Sequence, residues 1–409
     1  MVKSASDIIR AFNDGREPER LAMKMAAMRS KVFSFYRGTA HLYWQRVKAA
    51  RIAAQAPAAW CSGDLHLENF GTYRGDNGLV YFDVNDFDEA ALAPCDWEIL
   101  RFLTSILVAA PALGVNKTDA KELAKLAAET YRARLINGKA RWIERKTATG
   151  AIGDLMSGLK KRNQVDMLDR RTIEKKGRRR LDFKNARMLP ATEAERLRLE
   201  RLAKATGKAH GAETYFGFLD AARRVAGTGS LGIVRYVLLL EGTGSPDGNV
   251  LLDLKAATPS SLAAATRLAQ PDWGDEAARV VTVQRRSQAI SPAQLSAVTF
   301  DSLPFVLKEL QPSADRLNLA HIARDHAVLA DAFRSMASLC AWAQLRSSGR
   351  DGSATADALI AFAQDQRGFA AQLVTTAREL ADVTTGDYMN FCEGYDATMV
   401  PKVGKTATA

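Results

Sequence analysis

The sequence lacks the features of a disulfide-stapled, zinc-binding or membrane-spanning protein. Four cysteines are scattered along the 409 residues without a C-x-x-C pair: Cys61, Cys95, Cys340 and Cys392. Neither a disulfide framework nor a zinc site is therefore expected. The longest apolar run, residues 102–115, is too short to cross a bilayer and contains Pro111, so it predicts a buried helix. The first residues carry no apolar stretch of the kind that a secretory leader needs. These absences favour a cytoplasmic location.

The composition excludes disorder as the dominant state. Hydrophobic residues make up 47% and charged residues 25%, as in globular proteins, and 409 residues suffice for two or three domains. The formal net charge is +11, and residues 139–187 carry +10 of it, with 16 basic and 6 acidic residues. This basic block has few aromatics and no nucleic-acid-binding motif. A solvated insertion is the favoured interpretation, followed by a surface for an acidic or phosphorylated substrate, and then by nucleic-acid binding.

Two polar segments suit phosphoryl transfer, which needs an aspartate near the acceptor hydroxyl and oxygen ligands for magnesium. Residues 63–69 read GDLHLEN and residues 85–88 read NDFD. Asp64 and Asn69 have the five-residue spacing of a kinase catalytic loop, and the hairpin predicted between the segments brings Asp86 beside Asn69. Asp64 is the predicted base, and Asn69 and Asp86 are the predicted metal ligands. Asp83 is a weaker metal candidate because it lies within the strand. The alternative is a polar turn with a capping aspartate.

A glycine-rich segment supplies a second signal. Residues 227–232 read GTGSLG, and the strand predicted after them favours a kinase-type loop over a dinucleotide fingerprint, which requires a helix. The residues expected to bind the nucleotide are Gly227, Gly229, Ser230, Gly232, Lys255 and Glu276. Lys255 ends an apolar strand and needs a charged partner if it is buried. Glu276, on the helix predicted over residues 275–288, is the expected partner. The alternative is a plain surface hairpin.

The two signals occur in the reverse of the usual kinase order, since the glycine loop and lysine follow the catalytic loop. A circular permutation explains this order, because chain ends that lie close together tolerate such rearrangement. We expect an α+β, two-lobed, protein-kinase-like fold. Residues 1–213 and 313–409 would form a large, mainly helical lobe, and residues 214–312 a small β-rich lobe that binds the nucleotide.

The sequence resembles the bacterial family called domain of unknown function 2252, and beyond it the protein-kinase-like and aminoglycoside-phosphotransferase superfamily. The likeness is carried by residues 35–38 (FYRG), 63–71, 85–89 and 227–255, and it covers most of the chain. It implies that Asp64 is a base, that Asn69 and Asp86 bind magnesium, and that Lys255 contacts phosphate. It also implies that Asp96 is a structural acid. Ser62 stands where many relatives have histidine.

Three functions remain open at this point. The favoured one is an ATP- and magnesium-dependent phosphotransferase acting on an unknown hydroxyl acceptor, which is more readily a small molecule than a protein. The second is a kinase-like enzyme that transfers AMP. The third is a non-catalytic, basic nucleic-acid-binding or regulatory module.

Overall fold

The fold is mixed α+β and contains more helix than strand, as expected. The computed structural model describes residues 4–49, 56–159, 164–184, 187–310, 316–365 and 368–399. The N-terminal helices are α1 (Ala5–Phe12), α2 (Pro18–Ser30), α3 (Val32–Gly38) and α4 (Ala40–Ala49). The central helices are α5 (Cys95–Ala109), α6 (Lys117–Asn137), α7 (Gly150–Gly158), α8 (Gln164–Asp169) and α9 (Glu193–His210), with a 3-10 turn at Ala110–Leu113. The later helices are α10 (Ser261–Ala265), α11 (Glu276–Ser287), α12 (Leu319–Ile322), α13 (His326–Ser347), α14 (Ala356–Asp365) and α15 (Phe369–Met399).

Four short strands follow the N-terminal helices and form two antiparallel pairs. They are β1 (Ala58–Cys61), β2 (Phe70–Arg74), β3 (Val80–Val84) and β4 (Ala91–Pro94). β1 pairs with β4, and β2 pairs with β3, whose far edge takes β5 (Ile143–Glu144). The turn-rich residues between β2 and β3 correctly predicted this hairpin.

A six-stranded antiparallel sheet forms the second β region. Its strands are β8 (Met188–Pro190), β9 (Phe218–Arg224), β10 (Arg235–Leu240), β11 (Val250–Ala256), β12 (Ser296–Phe300) and β13 (Leu303–Glu309). Their order across the sheet is β12-β13-β11-β10-β9-β8. A separate hairpin joins β6 (Thr172–Lys175) to β7 (Arg178–Leu181).

The large hydrophobic core is built mainly by helices. Apolar faces of α3 to α6, α13 and α15 meet around the fully buried Trp44, Phe102 and Phe333, and β1 to β4 pack against them. α5 supplies the buried helix that the apolar run predicted. Among the described residues, no helix is long and apolar enough to cross a membrane.

The six-stranded sheet is covered on both faces, which explains its apolar strands. One face packs Leu238, Leu252 and Leu254 against Leu199 of α9. The alternate residues face the other way, and those nearest the ends of β10 and β11 are charged. The sheet includes β8, and α9 covers one of its faces; both elements precede residue 214, where the small lobe was predicted to begin. α10 and α11 lie within residues 214–312 but pack into the large core. The expected boundary at 312 lies outside the described residues.

The basic block is folded where the structure describes it. It contains β5, α7, α8 and the β6–β7 hairpin, and most of its described basic side chains are exposed to solvent. Arg179 is buried and binds Asp169, Asp247 and the carbonyl of Pro246. A buried arginine with three partners is a structural element. Residues 160–163 and 185–186 of the block, including the predicted Lys160-Lys161-Arg162 run, lie outside the described residues.

The N-terminal helices dock onto the C-terminal helix. Phe391 of α15 is buried and packs 5.4 Å, centroid to centroid, from Phe35 of α3. Asp387 and Asp396 of α15 pair with Arg46 and Arg29. These contacts hold α1 to α4 in a fixed position relative to the large core.

This docking gives a stability prediction. Phe391→Ala removes a buried ring between α1, α3 and α15, so we expect the free energy of unfolding to fall by about 3 kcal/mol in urea denaturation. Met389→Ala is the matched control on the same helix, because its side chain is 59% exposed. The two variants would have equal stability if the docking carried no energy.

Candidate functional site

Two polar loops lie side by side because they leave neighbouring strands. Residues 62–69 connect β1 to β2, and residues 85–90 connect β3 to β4. Phe70 pairs with Val84 at the end of the hairpin, and the backbone N–H of Asn85 donates to the carbonyl of Asn69 over 3.0 Å. The Asn69 side-chain Nδ2 then donates to the carbonyls of Asp64 and Asp86, at 3.1 and 3.2 Å. Asn69 therefore fastens the two loops together, which places the predicted base and the predicted metal ligands in one region.

The first loop is fixed at its start by α5. The Ser62 hydroxyl and the Gly63 N–H both donate to the Glu98 carboxylate, and the Trp44 indole donates to the Gly63 carbonyl over 2.9 Å. Gly63 has a φ of +82°, and a Cβ there would lie 1.9 Å from the Glu89 carbonyl oxygen. Only glycine allows the two loops to approach this closely.

Asp64 is held by a buried arginine that the sequence analysis missed. Its Oδ1 accepts from Nε of Arg101 over 2.7 Å and also from Nη2. The Arg101 side chain is fully buried, and its guanidinium lies 4.3 and 4.7 Å from the rings of Tyr36 and Tyr43. Cation–π contacts of this kind offset part of the cost of burying a charge. Tyr36, part of the FYRG segment, therefore contributes to the wall of this aromatic cage.

The second oxygen of Asp64 is less constrained. Oδ2 lies 3.9 Å from Nε2 of His66, whose Nδ1 accepts from the backbone N–H of Glu68. The histidine thus orients the loop through a hydrogen bond. Burial raises the pKa of Asp64 to about 7, against the opposing charge of Arg101. A carboxylate with a pKa near neutrality is suited to accept a proton from a hydroxyl.

Lys255 connects the six-stranded sheet to the second loop. Its Nζ forms an ion pair with the Asp88 carboxylate and lies 3.8 Å from Oδ2 of Asp86. Lys308 of β13 donates to the carbonyl of Asn85 over 3.2 Å. Burial favours the neutral form of Asp86, but the charges of Lys255 and Lys308 outweigh it and hold its pKa below the usual range. Asp86 is therefore ionised, and its side chain is 51% exposed to the cleft.

The predicted pairing of Lys255 with Glu276 is wrong. Glu276 lies at the first turn of α11 and pairs with Arg279 over 2.6 Å. α11 presents Val280 and Gln284 to the cleft instead. The partner of Lys255 comes from the loop after β3, because the lysine points away from the apolar face of β11.

The glycine segment is the loop between β9 and β10. It spans residues 225–234, and β10 begins at Arg235. Arg16 donates to the carbonyls of Gly229 and Leu231, both over 2.9 Å. Gly232 has a φ of +87°, and a Cβ there would lie 2.9 Å from the Cβ of Arg16. The loop's carbonyls are therefore turned toward the N-terminal helices, and its glycines permit that close contact.

Below the glycine loop lies a charged triad. Asp253 of β11 pairs with Arg224 of β9 and Arg235 of β10. Burial raises the pKa of Asp253, but the charges of Arg224 and Arg235 outweigh this effect and hold the pKa far below the usual range. Arg235 thus pairs with a carboxylate, and Arg37 pairs with Glu68 over 2.5 Å.

One cleft of about 600 Å³ collects these residues. The predicted residues that line it are Asp64, Asn69, Asp86, Gly227, Gly229, Ser230 and Lys255. Three other predicted residues do not line this cleft: Gly232, Glu276 and Asp83, of which Asp83 is buried within β3. The cleft also contains residues that the sequence analysis gave no role, of which Asp88 and Lys308 are the most informative. Asp88 lay within the NDFD segment, whereas nothing local distinguished Lys308.

The oxygen atoms beside Asp86 are suited to a hard cation. Asn69 uses its Nδ2 for two carbonyls, which leaves Oδ1 as a donor atom for a metal, and among the described residues the buried Oδ1 of Asn85 has no hydrogen-bond partner. Magnesium commonly takes one or two carboxylates together with substrate phosphates. Over the described part of the chain, no group of three or more His, Cys, Asp or Glu side chains could hold a metal.

The comparisons with known proteins give a family and no named relative. The family model described as "Uncharacterized protein conserved in bacteria (DUF2252)" matches residues 16–394. No curated protein and no solved structure matches the chain significantly. The matched span includes both loops, the glycine segment and Lys255.

The environment of Asp64 gives a pH prediction. Its pKa is about 7 in the folded protein and 3.8 ordinarily, so the folded state binds a proton more tightly. Its contribution to stability is therefore present below about pH 4 and is lost as the pH rises through 7. We expect the free energy of unfolding of the wild type to fall over this range relative to that of Asp64→Asn, measured by urea denaturation. Parallel curves would contradict this, since the other buried carboxylates titrate in both proteins.

Proposed function

We propose that this chain, which belongs to the bacterial family DUF2252, is an ATP- and magnesium-dependent phosphotransferase acting on a hydroxyl group. The observation that carries the proposal is the single cleft in which Asp64, Asn69, Asp86, Lys255 and the glycine loop meet. These residues come from distant parts of the chain, and each type has a defined task in phosphoryl transfer.

The order of elements supports a nucleotide site of the kinase type. β9, the glycine loop, β10, β11 with Lys255, and α11 follow one another along the chain. Protein kinases have a glycine-rich loop over the phosphates, a lysine on the third strand and then a helix. The chain departs from that pattern at α11, where no glutamate reaches Lys255. A kinase-like architecture with circularly permuted segments accounts for this order and is part of the proposal.

The proposed roles follow from the contacts. The backbone N–H groups of the glycine loop and the Lys255 ammonium bind the phosphates of ATP. Asn69 and Asp86 hold magnesium, which neutralises charge on those phosphates. The acceptor hydroxyl lies against Oδ2 of Asp64, the oxygen that Arg101 leaves free. Its oxygen forms a bond to the γ-phosphorus while the bond from that phosphorus to the β–γ bridging oxygen breaks. ADP leaves and the hydroxyl proton passes to Asp64.

Nucleotide binding is the first test. We expect millimolar ATP with magnesium to raise the melting temperature by several degrees, since a ligand at 100 times its Kd stabilises by about 2.7 kcal/mol. Lys255→Met and Asp86→Asn should each lose most of that shift. Lys175→Met and Asp357→Asn are the matched controls, because both side chains are exposed. No shift in the wild type would overturn the proposal and would turn attention to the nucleic-acid alternative.

The transferred group is tested with labelled ATP. Label at the γ-phosphate should appear in product and label at the α-phosphate should not; the reverse result would establish AMP transfer. Asp64→Asn should lower the rate by at least about 100-fold, the usual contribution of a general base. Its thermal shift with ATP and magnesium should persist, since Asp64 contacts the acceptor. An unchanged rate would exclude Asp64 as the base.

A further inference from the structure

The wall of the cleft beside Asp64 carries two cations, Arg16 and Lys24. Within the described residues, neither Arg16 nor Lys24 forms an ion pair with a carboxylate. Lys24 is fully buried, and its Nζ donates to Oδ1 of Asn13 over 2.8 Å and to the carbonyl of Gly229 over 3.2 Å. Both cations line the cleft. A buried charge without a counter-charge is costly unless a ligand supplies one.

A histidine completes this wall. His41 is 4% exposed and lines the cleft, and its Nε2 has no hydrogen-bond partner within the part of the chain that the structure describes. Its ring stacks on Phe12 at 3.7 Å between centroids. The same Phe12 ring lies 5.6 Å from the Arg16 guanidinium and 5.9 Å from Nζ of Lys24. We name Phe12, Arg16, Lys24 and His41 the cationic wall.

We propose that the cationic wall binds an anionic group, a phosphate or a carboxylate, on the acceptor whose hydroxyl is phosphorylated at Asp64. The inference rests on the proposed function and adds a substrate class to it. It excludes amine-bearing acceptors, which these cations would repel.

Holding the glycine loop does not use all the donors of the wall. Lys24 has three N–H groups and Arg16 has five. Two from each side chain are engaged, by Asn13 and Gly229 for Lys24 and by Gly229 and Leu231 for Arg16. Arg16 is partly exposed and keeps donors for a ligand in the cleft, and Nε2 of His41 has no partner among the described residues. Lys24 is fully buried and acts on the ligand through its charge. An anion accepts several such bonds at once, and charge-assisted bonds are the stronger kind.

The electrostatics agree with this geometry. Burial and the neighbouring Arg16 charge lower the pKa of Lys24 to about 7, while the carboxylates of Glu89 and Asp64 act in the opposite direction. Burial, and then the charges of Lys24 and Arg16, lower the pKa of His41 well below its usual range. His41 is therefore neutral, and the wall carries its positive charge on Lys24 and Arg16. Asp64 and Lys24 line the same cleft.

The binding test uses inorganic phosphate as the probe. Protein is first saturated with magnesium and a non-hydrolysable ATP analogue, and phosphate is then titrated calorimetrically at pH 6.5. We expect Lys24→Met to raise the Kd for phosphate at least tenfold and His41→Phe, which keeps the stack on Phe12, to raise it severalfold. Lys31→Met is the control, since Lys31 is exposed just beyond the same helix. Equal affinities in wild type and Lys24→Met would overturn the proposal; if Lys24→Met does not fold, His41→Phe and Arg16→Gln decide it by the same criterion.

A transfer assay tests the substrate class. With γ-labelled ATP we expect transfer to glycerol 3-phosphate and glycerate, and at least tenfold less to glycerol and choline. Lys24→Met should raise KM for the anionic alcohols by a larger factor than it raises the Kd of the ATP analogue, because Lys24 also contacts the glycine loop. Transfer to choline or glycerol with equal efficiency would overturn the assignment.

The two proposals fail differently. If the ATP analogue binds but the affinity for phosphate does not depend on Lys24, the acceptor site alone is overturned. Absence of analogue binding overturns the proposed function. Lys24-dependent phosphate binding in that case would establish an anion site and overturn its role as an acceptor site.

Discussion

The candidate site depends on the buried ion pair between Arg101 and Asp64. Taking both charges out of water costs several kcal/mol, and such a pair often contributes no net stability. The chain surrounds this pair with supporting groups: the tyrosine rings of the aromatic cage, the carbonyl of Tyr36 and the anchoring of the loop by Glu98. What the pair provides is orientation, because it engages one oxygen of Asp64 and leaves the other toward the cleft. A carboxylate free to rotate would have to be ordered at each encounter with a substrate.

The N-terminal helices lie between α15 and the cleft. α2 and α3 are held by α15 on one side, and Arg16 and Lys24 reach the glycine loop on the other. Gly38 allows this packing, since a Cβ there would lie 2.4 Å from Sδ of Met28. The FYRG segment thus has three separate tasks: Tyr36 surrounds Arg101, Arg37 pairs with Glu68, and Gly38 admits α2. The FYRG segment therefore supports the loop that carries Asp64 and Glu68.

Features specified by local sequence were predicted well, whereas contacts between distant segments were not. Turn residues between β2 and β3 placed Asn69 beside Asp86, because a hairpin is specified by its own sequence. The mixed α+β class and the family are confirmed, whereas the kinase-like architecture and the phosphotransferase activity stay predictions. The partner of Lys255 could not be predicted from spacing along the sequence, because Asp88 approaches the lysine across the cleft. Arg101 was hidden within an apolar helix, and only its burial beside Asp64 reveals its role. The positive charge of residues 139–187 suggested a solvated segment, yet Arg179 is part of a buried network.

The ion pairs between Lys255 and the second loop would couple two binding events in the proposed phosphotransferase. Lys255 already pairs with Asp88 and lies near Asp86, so an arriving triphosphate would have to exchange places with a carboxylate. The carboxylates released in that exchange would repel one another, and a divalent cation would remove the repulsion. Nucleotide and metal would therefore strengthen each other's affinity, and by linkage the factor would be the same in both directions. The resting charge balance of the cleft would thus discriminate against metal-free nucleotide before any phosphate transfer.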